Sequence, residues 1–147
     1  MSLKDQIDDD LKTSMKSGDK FRTETLRMLK SAIKYAEIQV QHDLDDAGIT
    51  GVVVQQAKQR RDSIAEFEKA KRNDLVEKEA AELKILETYL PAQLSEAEIE
   101  TRAKAVIAEL GVTDAKGVGL VMKRLTTDLK SQADGRVINQ VVRRLLG

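Results

Sequence analysis

A single proline, Pro91, interrupts a chain that otherwise reads as helix from end to end. Proline lacks an N–H and its ring clashes with the preceding turn, so a helix that reaches Leu90 must stop there. Directly after it, Ser95-Glu96-Ala97-Glu98 has the form of a capping box, in which Ser95 covers the Glu98 amide and Glu98 reaches back. A new helix therefore starts at once. The 147 residues suffice for one ordinary domain or two small ones, and this break divides them into 1–91 and 92–147. No segment alternates with period two for long enough to make a strand. The expected fold is all-α, with about four helices in an N-terminal domain and three in a C-terminal one.

Apolar spacing places the helices. Leu3, Ile7, Leu11 and Met15 recur every fourth residue, and Gly18 closes that helix. Asp19 caps the next, where Leu26, Leu29, Ile33, Ala36 and Val40 form a seam. Residues 42–51 lose the period and read as a loop. A third helix is expected from about Val52 to Lys71 and a fourth from Asp74 to Leu90, with Arg72-Asn73 at the turn between them. Past Pro91, Ile99, Ala103, Val106 and Leu110 mark a fifth helix closed by Gly111. Thr113 or Asp114 caps a sixth, with Val118, Val121, Met122, Leu125 and Leu129 inside. Asp134 caps a seventh, with Val137, Ile138, Val141, Val142 and Leu145 inside.

With aromatics at 3%, aliphatic side chains must fill the core. No cysteine is present, which excludes disulfides and thiol chemistry and fits a reducing compartment. The N-terminus has no apolar h-region, and no apolar run approaches the length of a membrane span. These features read as a cytoplasmic protein with no membrane partner.

A net charge of zero conceals an asymmetry. Residues 1–94 hold 16 basic and 18 acidic side chains, whereas 95–147 hold 9 and 7. Within 115–147 the basic residues number 7 against 2 acids. On the sixth helix Lys116, Lys123 and Lys130 lie opposite the apolar side, drifting only ~20° per seven residues. Gly119 lies beside them and would let a backbone approach closely. On the seventh, Arg136, Gln140 and Arg143 share the outward face. Basic stripes without interleaved acids suit phosphate contact; the competing reading is a solvated helix face. Arg27, Lys30 and Lys34, flanked by Arg22, make a further basic stripe on the second helix. It either extends an RNA surface or pairs with the acids of the first helix.

Arg60 falls on the apolar stripe Val53, Ala57, Ile64 and Phe67, where a guanidinium needs a carboxylate. A hairpin about Arg72-Asn73 brings it near Glu82, with Glu79 the second candidate. A structural ion pair of Arg60 and Glu82 is the favoured reading, against an anion or RNA contact. Arg61 reads as exposed and open to RNA. Catalytic residues are not found. His42 is the only histidine and sits among Asp43, Asp45 and Asp46 without recognised metal-ligand spacing. A Ser–His or Cys–His site has no other base to use. Gly117-Val118-Gly119 is no phosphate loop, since it lacks the next glycine and a preceding strand. No cofactor and no metal are expected.

Several of these segments together resemble the GatB/YqeY family, in particular its small free-standing YqeY-like members. They are Arg22 with Leu26-Arg27; Lys58-Gln59-Arg60-Arg61-Asp62-Ser63; Arg72-Asn73-Asp74-Leu75; Glu79 and Glu82; Tyr89-Leu90-Pro91-Ala92-Gln93-Leu94; Gly119 with Val121-Met122; and Ala133-Asp134-Gly135 with Val137 and Asn139. The ordered set is specific where no single piece is. Gly117-Val118 departs from the family's usual acidic residue and methionine, and Ser131 from its usual glycine. The resemblance implies a helical bundle followed by a three-helix tail similar to the tail of the aspartyl/glutamyl-tRNA amidotransferase B subunit, which contacts tRNA. Family members are classed with carbon–nitrogen ligases that use glutamine as amido donor. This chain is too short to hold the amidase or the carboxylate-activating domain. The resemblance thus implies a tRNA-binding accessory to amidation, its partners being tRNA or another structured RNA and a tRNA amidotransferase or synthetase. The alternative is a helical protein–protein adaptor with no RNA role.

Overall fold

The computed structural model describes residues 1–147, which form seven α-helices and no strand and divide into two compact units, Met1–Leu90 and Pro91–Gly147. The all-α expectation holds. In the first unit, α1 (Leu3–Ser17) starts where the Ser2 side chain accepts from the Asp5 amide and ends at Gly18, φ 76°. A glycine meets that left-handed angle without a Cβ penalty. Asp19 caps α2 (Lys20–Val40) through the Arg22 amide. The helices α3 (Asp46–Lys69) and α4 (Asn73–Glu87) form an antiparallel hairpin.

The core of this unit is Ile7, Leu26, Leu29, Ile33, Ile49, Val53, Leu86 and Tyr89. Two expected core positions are exposed instead, Met15 at 51% and Val40 at 47%, and Ala36 is only half-buried at the edge of the seam. A strict four-residue repeat rotates about 40° per step, so by Met15 the row has left the packing face. Val40 is the last residue of α2, just before Gln41 turns left-handed.

The reading of residues 42–51 as a loop is corrected in its second half. Asp45 caps α3, accepting from the Gly48 amide at 2.8 Å, and Asp46 takes the Leu3 amide at 2.9 Å. Ile49, Val53 and Ala57 are fully buried at four-residue spacing. The apolar row of α3 therefore starts at Ile49, and Gly48 and Gly51 lie inside the helix rather than before it.

In the second unit both halves of the capping box form, Ser95 and Glu98 exchanging contacts of 3.2 Å at the start of α5 (Glu96–Leu110). Gly111, φ 67°, closes that helix. Asp114 caps a single 3-10 turn, Ala115–Gly117, which leads into α6 (Val118–Asp128). Asp134 caps α7 (Gly135–Leu146). These three helices share a core of Ile99, Ala103, Val106, Val121, Leu125, Leu129, Ile138, Val141 and Val142. The segment after Pro91 is tied to the turn before α7: the Leu94 amide donates to the Gln132 carbonyl at 2.9 Å and Gln93 Nε2 to the Ser131 carbonyl at 2.7 Å.

Candidate nucleic-acid interface

The apolar residues of α6 and α7 turn into the shared core, except Leu120, which is 54% exposed beside Gly119, and this leaves their opposite faces to solvent. The sequence reading of Lys116, Lys123 and Lys130 as one stripe along the sixth helix is corrected. Only Lys123, with Gly119, lies on α6, while Lys116 belongs to the 3-10 turn before it and Lys130 to the turn after it, where a helical wheel no longer applies. All are exposed, as are Arg136, Gln140 and Arg143 on α7. A Cβ at Gly119 would meet nothing within 4 Å. Internal packing therefore gives no reason for a glycine there.

The acids of this unit are already engaged. Glu96 and Glu100 hold Arg144 at 2.8 and 3.3 Å, and Glu109 and Asp128 hold Arg124 at 3.2 and 2.9 Å. Glu98, Asp114 and Asp134 accept backbone amides at helix starts. The hydrogen bond from the Ser95 amide is the main cause that holds Glu98 below the usual glutamate range. Lys116, Lys123 and Lys130 are left without a carboxylate, and Arg143 Nε bonds the Asn139 side chain at 2.9 Å.

The stripe on α2 is different. Lys30 lies 2.7 Å from Asp8 and Arg22 4.0 Å from Asp10, so the acids of α1 neutralise half of it. Arg27 and Lys34 are exposed; Lys34 adds to the positive field at Glu37, and Arg27 Nη2 lies 4.0 Å from Met15 Sδ. Asp10 also accepts from the Tyr89 hydroxyl at 2.6 Å, and burial raises the Tyr89 phenol above its ordinary value. Arg22 and Tyr89 thus act within the fold of this unit.

Arg60 is 7% exposed, and its Nε donates to Glu82 at 3.1 Å, with Glu79 at 3.8 Å and Gln56 accepting from Nη1 at 3.2 Å. Burial, then the neighbouring Glu82 charge, raises Glu79 above the usual glutamate range. The expectation of an exposed Arg61 is corrected: it is half-buried and lies 3.8 Å from Glu87, because α4 runs alongside this face of α3. His42 Nδ1 lies 2.8 Å from the Asp43 carbonyl, and no group of three metal-ligating side chains is assembled.

Sequence reasoning passed over the exposed apolar residues of α2, Met28, Tyr35 and Ile38. Their helical spacing was the available signal, masked by the stronger inner seam.

A family model described as Yqey-like protein matches residues 4–146. Altered inheritance of mitochondria protein 41, mitochondrial, of Kluyveromyces lactis is 44% identical over 104 residues, which cover 69% of this chain and 56% of that protein. The protein of the same name from Pyrenophora tritici-repentis is 32% identical over 143 residues, covering 94% of this chain and 77% of that protein. The chain spans 56% of the length of the first of these relatives. Their names overturn the cytoplasmic expectation. A missing secretory h-region and missing cysteines do not separate the cytoplasm from a mitochondrial interior.

Proposed function

This chain belongs to the YqeY-like family, and on that premise we propose that it is a tRNA-binding accessory protein linked to glutamine-dependent amidation. It contacts RNA through Lys116, Gly119, Lys123, Lys130, Arg136 and Arg143 and does not catalyse amidation by itself. The observation that supports this reading is the commitment of the second unit's acids to helix starts, Arg124 and Arg144. Phosphate contact needs cations whose charge is not already cancelled, and the support from charge therefore comes from Lys116, Lys123 and Lys130. A tRNA amidotransferase or synthetase is the protein partner this role calls for.

The test is a filter-binding titration with tRNA at several salt concentrations. Engagement of about four phosphates gives a log–log salt slope of roughly −3 to −4. Changing Lys116, Lys123 and Lys130 together to Glu abolishes binding while the helical circular dichroism is kept. Absence of tRNA affinity at low salt, or undiminished binding by the triple variant, rejects the proposal.

A further inference from the structure

In the second unit one large apolar side chain stands in solvent. Leu120 is 54% exposed, and every other large apolar residue so placed lies in the first unit. It follows Gly119 on α6 and lies one helical turn before Lys123. The 3-10 turn that holds Lys116 leads directly into this helix. On the other flank of Leu120, Arg124 is held by Glu109 and Asp128, so that side adds no free cation.

A single exposed leucine is ordinary on a protein surface. The place of Leu120, among cations that phosphates would approach, restricts what it can meet. A phosphate set against it loses water and gains no hydrogen bond. The outside of a fully paired RNA helix offers phosphates and 2′-hydroxyls, whereas an unpaired nucleotide offers the apolar face of its base. Residues 95–147 contain no aromatic side chain, so a base has no ring to stack on in this unit. Leu120 is the large apolar surface open to it. A Cβ at Gly119 would meet nothing within 4 Å, and its absence leaves room beside Leu120 for a flat base to come close to the helix backbone.

We propose that Gly119 and Leu120 hold an unpaired nucleotide of a structured RNA, a bulge or loop base lying on Leu120 while Lys116 and Lys123 take the phosphates on either side of it. This rests on the RNA contact proposed above. It adds a preference that charge alone does not create: fully paired RNA is the poorer ligand. Covering a half-exposed leucine sets that preference at roughly fivefold. Apolar contact releases no counterions, so the preference persists as salt is raised.

The test measures fluorescence anisotropy of two labelled RNAs with the full chain. One is a fully paired duplex of about 20 base pairs, and the other is the same duplex with a bulge of unpaired adenosines. The bulged RNA should bind roughly fivefold more tightly at each of several salt concentrations. Leu120→Ala should bring the two affinities together. Leu120→Phe should widen the difference, since an aromatic ring stacks on a base. Gly119→Val should narrow it by filling the space beside Leu120. Circular dichroism confirms that each variant is folded.

Equal affinity of the unaltered protein for the two RNAs overturns the proposal and leaves the RNA contact standing. So does a preference that survives Leu120→Ala. A preference that disappears as salt rises also overturns it, because the discrimination then lies in the phosphates. Absence of binding to either RNA at low salt rejects the RNA contact itself, and this inference with it.

Discussion

Replacing Arg60 with Ala tests the polar seam of the α3–α4 hairpin. Arg60 and Glu82 are each 8% exposed at the side chain, and their contact is 3.1 Å. Removing the guanidinium strands the Glu82 carboxylate beside Glu79. Breaking a buried pair costs about 3–5 kcal/mol. Glu79 is 20% exposed and reaches water, so the lower end applies, about 3 kcal/mol. In urea, with m of about 2 kcal/mol/M, the midpoint of the unit's unfolding should fall by about 1.5 M. The loss should shrink toward about 1 kcal/mol below pH ~4, where a stranded carboxylate is neutralised by a proton. Arg60→Met combined with Glu82→Leu should recover most of it, since no charge is then stranded. A loss under about 1 kcal/mol that does not vary with pH, or a double variant as unstable as the single one, refutes the reasoning.

Glu79→Gln should stabilise the protein at neutral pH. The raised folded pKa means that the native state holds the proton more tightly, so Glu79's contribution is full below its unfolded pKa and lost as pH rises through the folded one. The gain should vanish in melts below pH ~4. Gly117→Ala should cost about 1–3 kcal/mol in denaturant melts, because the new Cβ would overlap Val112 Cγ1. Ser131→Gly should gain about 0.5–1 kcal/mol in the same assay, since Ser131 holds φ 73°.

The helix count, most caps and the core rows were legible in the sequence because they depend on local spacing and local hydrogen bonds. Asp19, Ser95, Gly111 and Asp134 each act within one turn of their own position. The start of α3 was not legible, because Gly48 and Gly51 obscure a row that only Ile49's burial against other helices makes evident. The basic face of α7 could be drawn on a helical wheel, but the lysine row drawn on the sixth helix could not, because Lys116 lies in a 3-10 turn before α6 and Lys130 beyond its end, and which cations keep their charge was not legible either. Arg61 meets Glu87, Lys30 meets Asp8 and Arg144 meets Glu96, each across two helices and far apart along the chain. Sequence periodicity determines which way a side chain faces along its own helix. Whether that face meets solvent, a carboxylate or a groove depends on the neighbouring helix, and only the tertiary structure decides it.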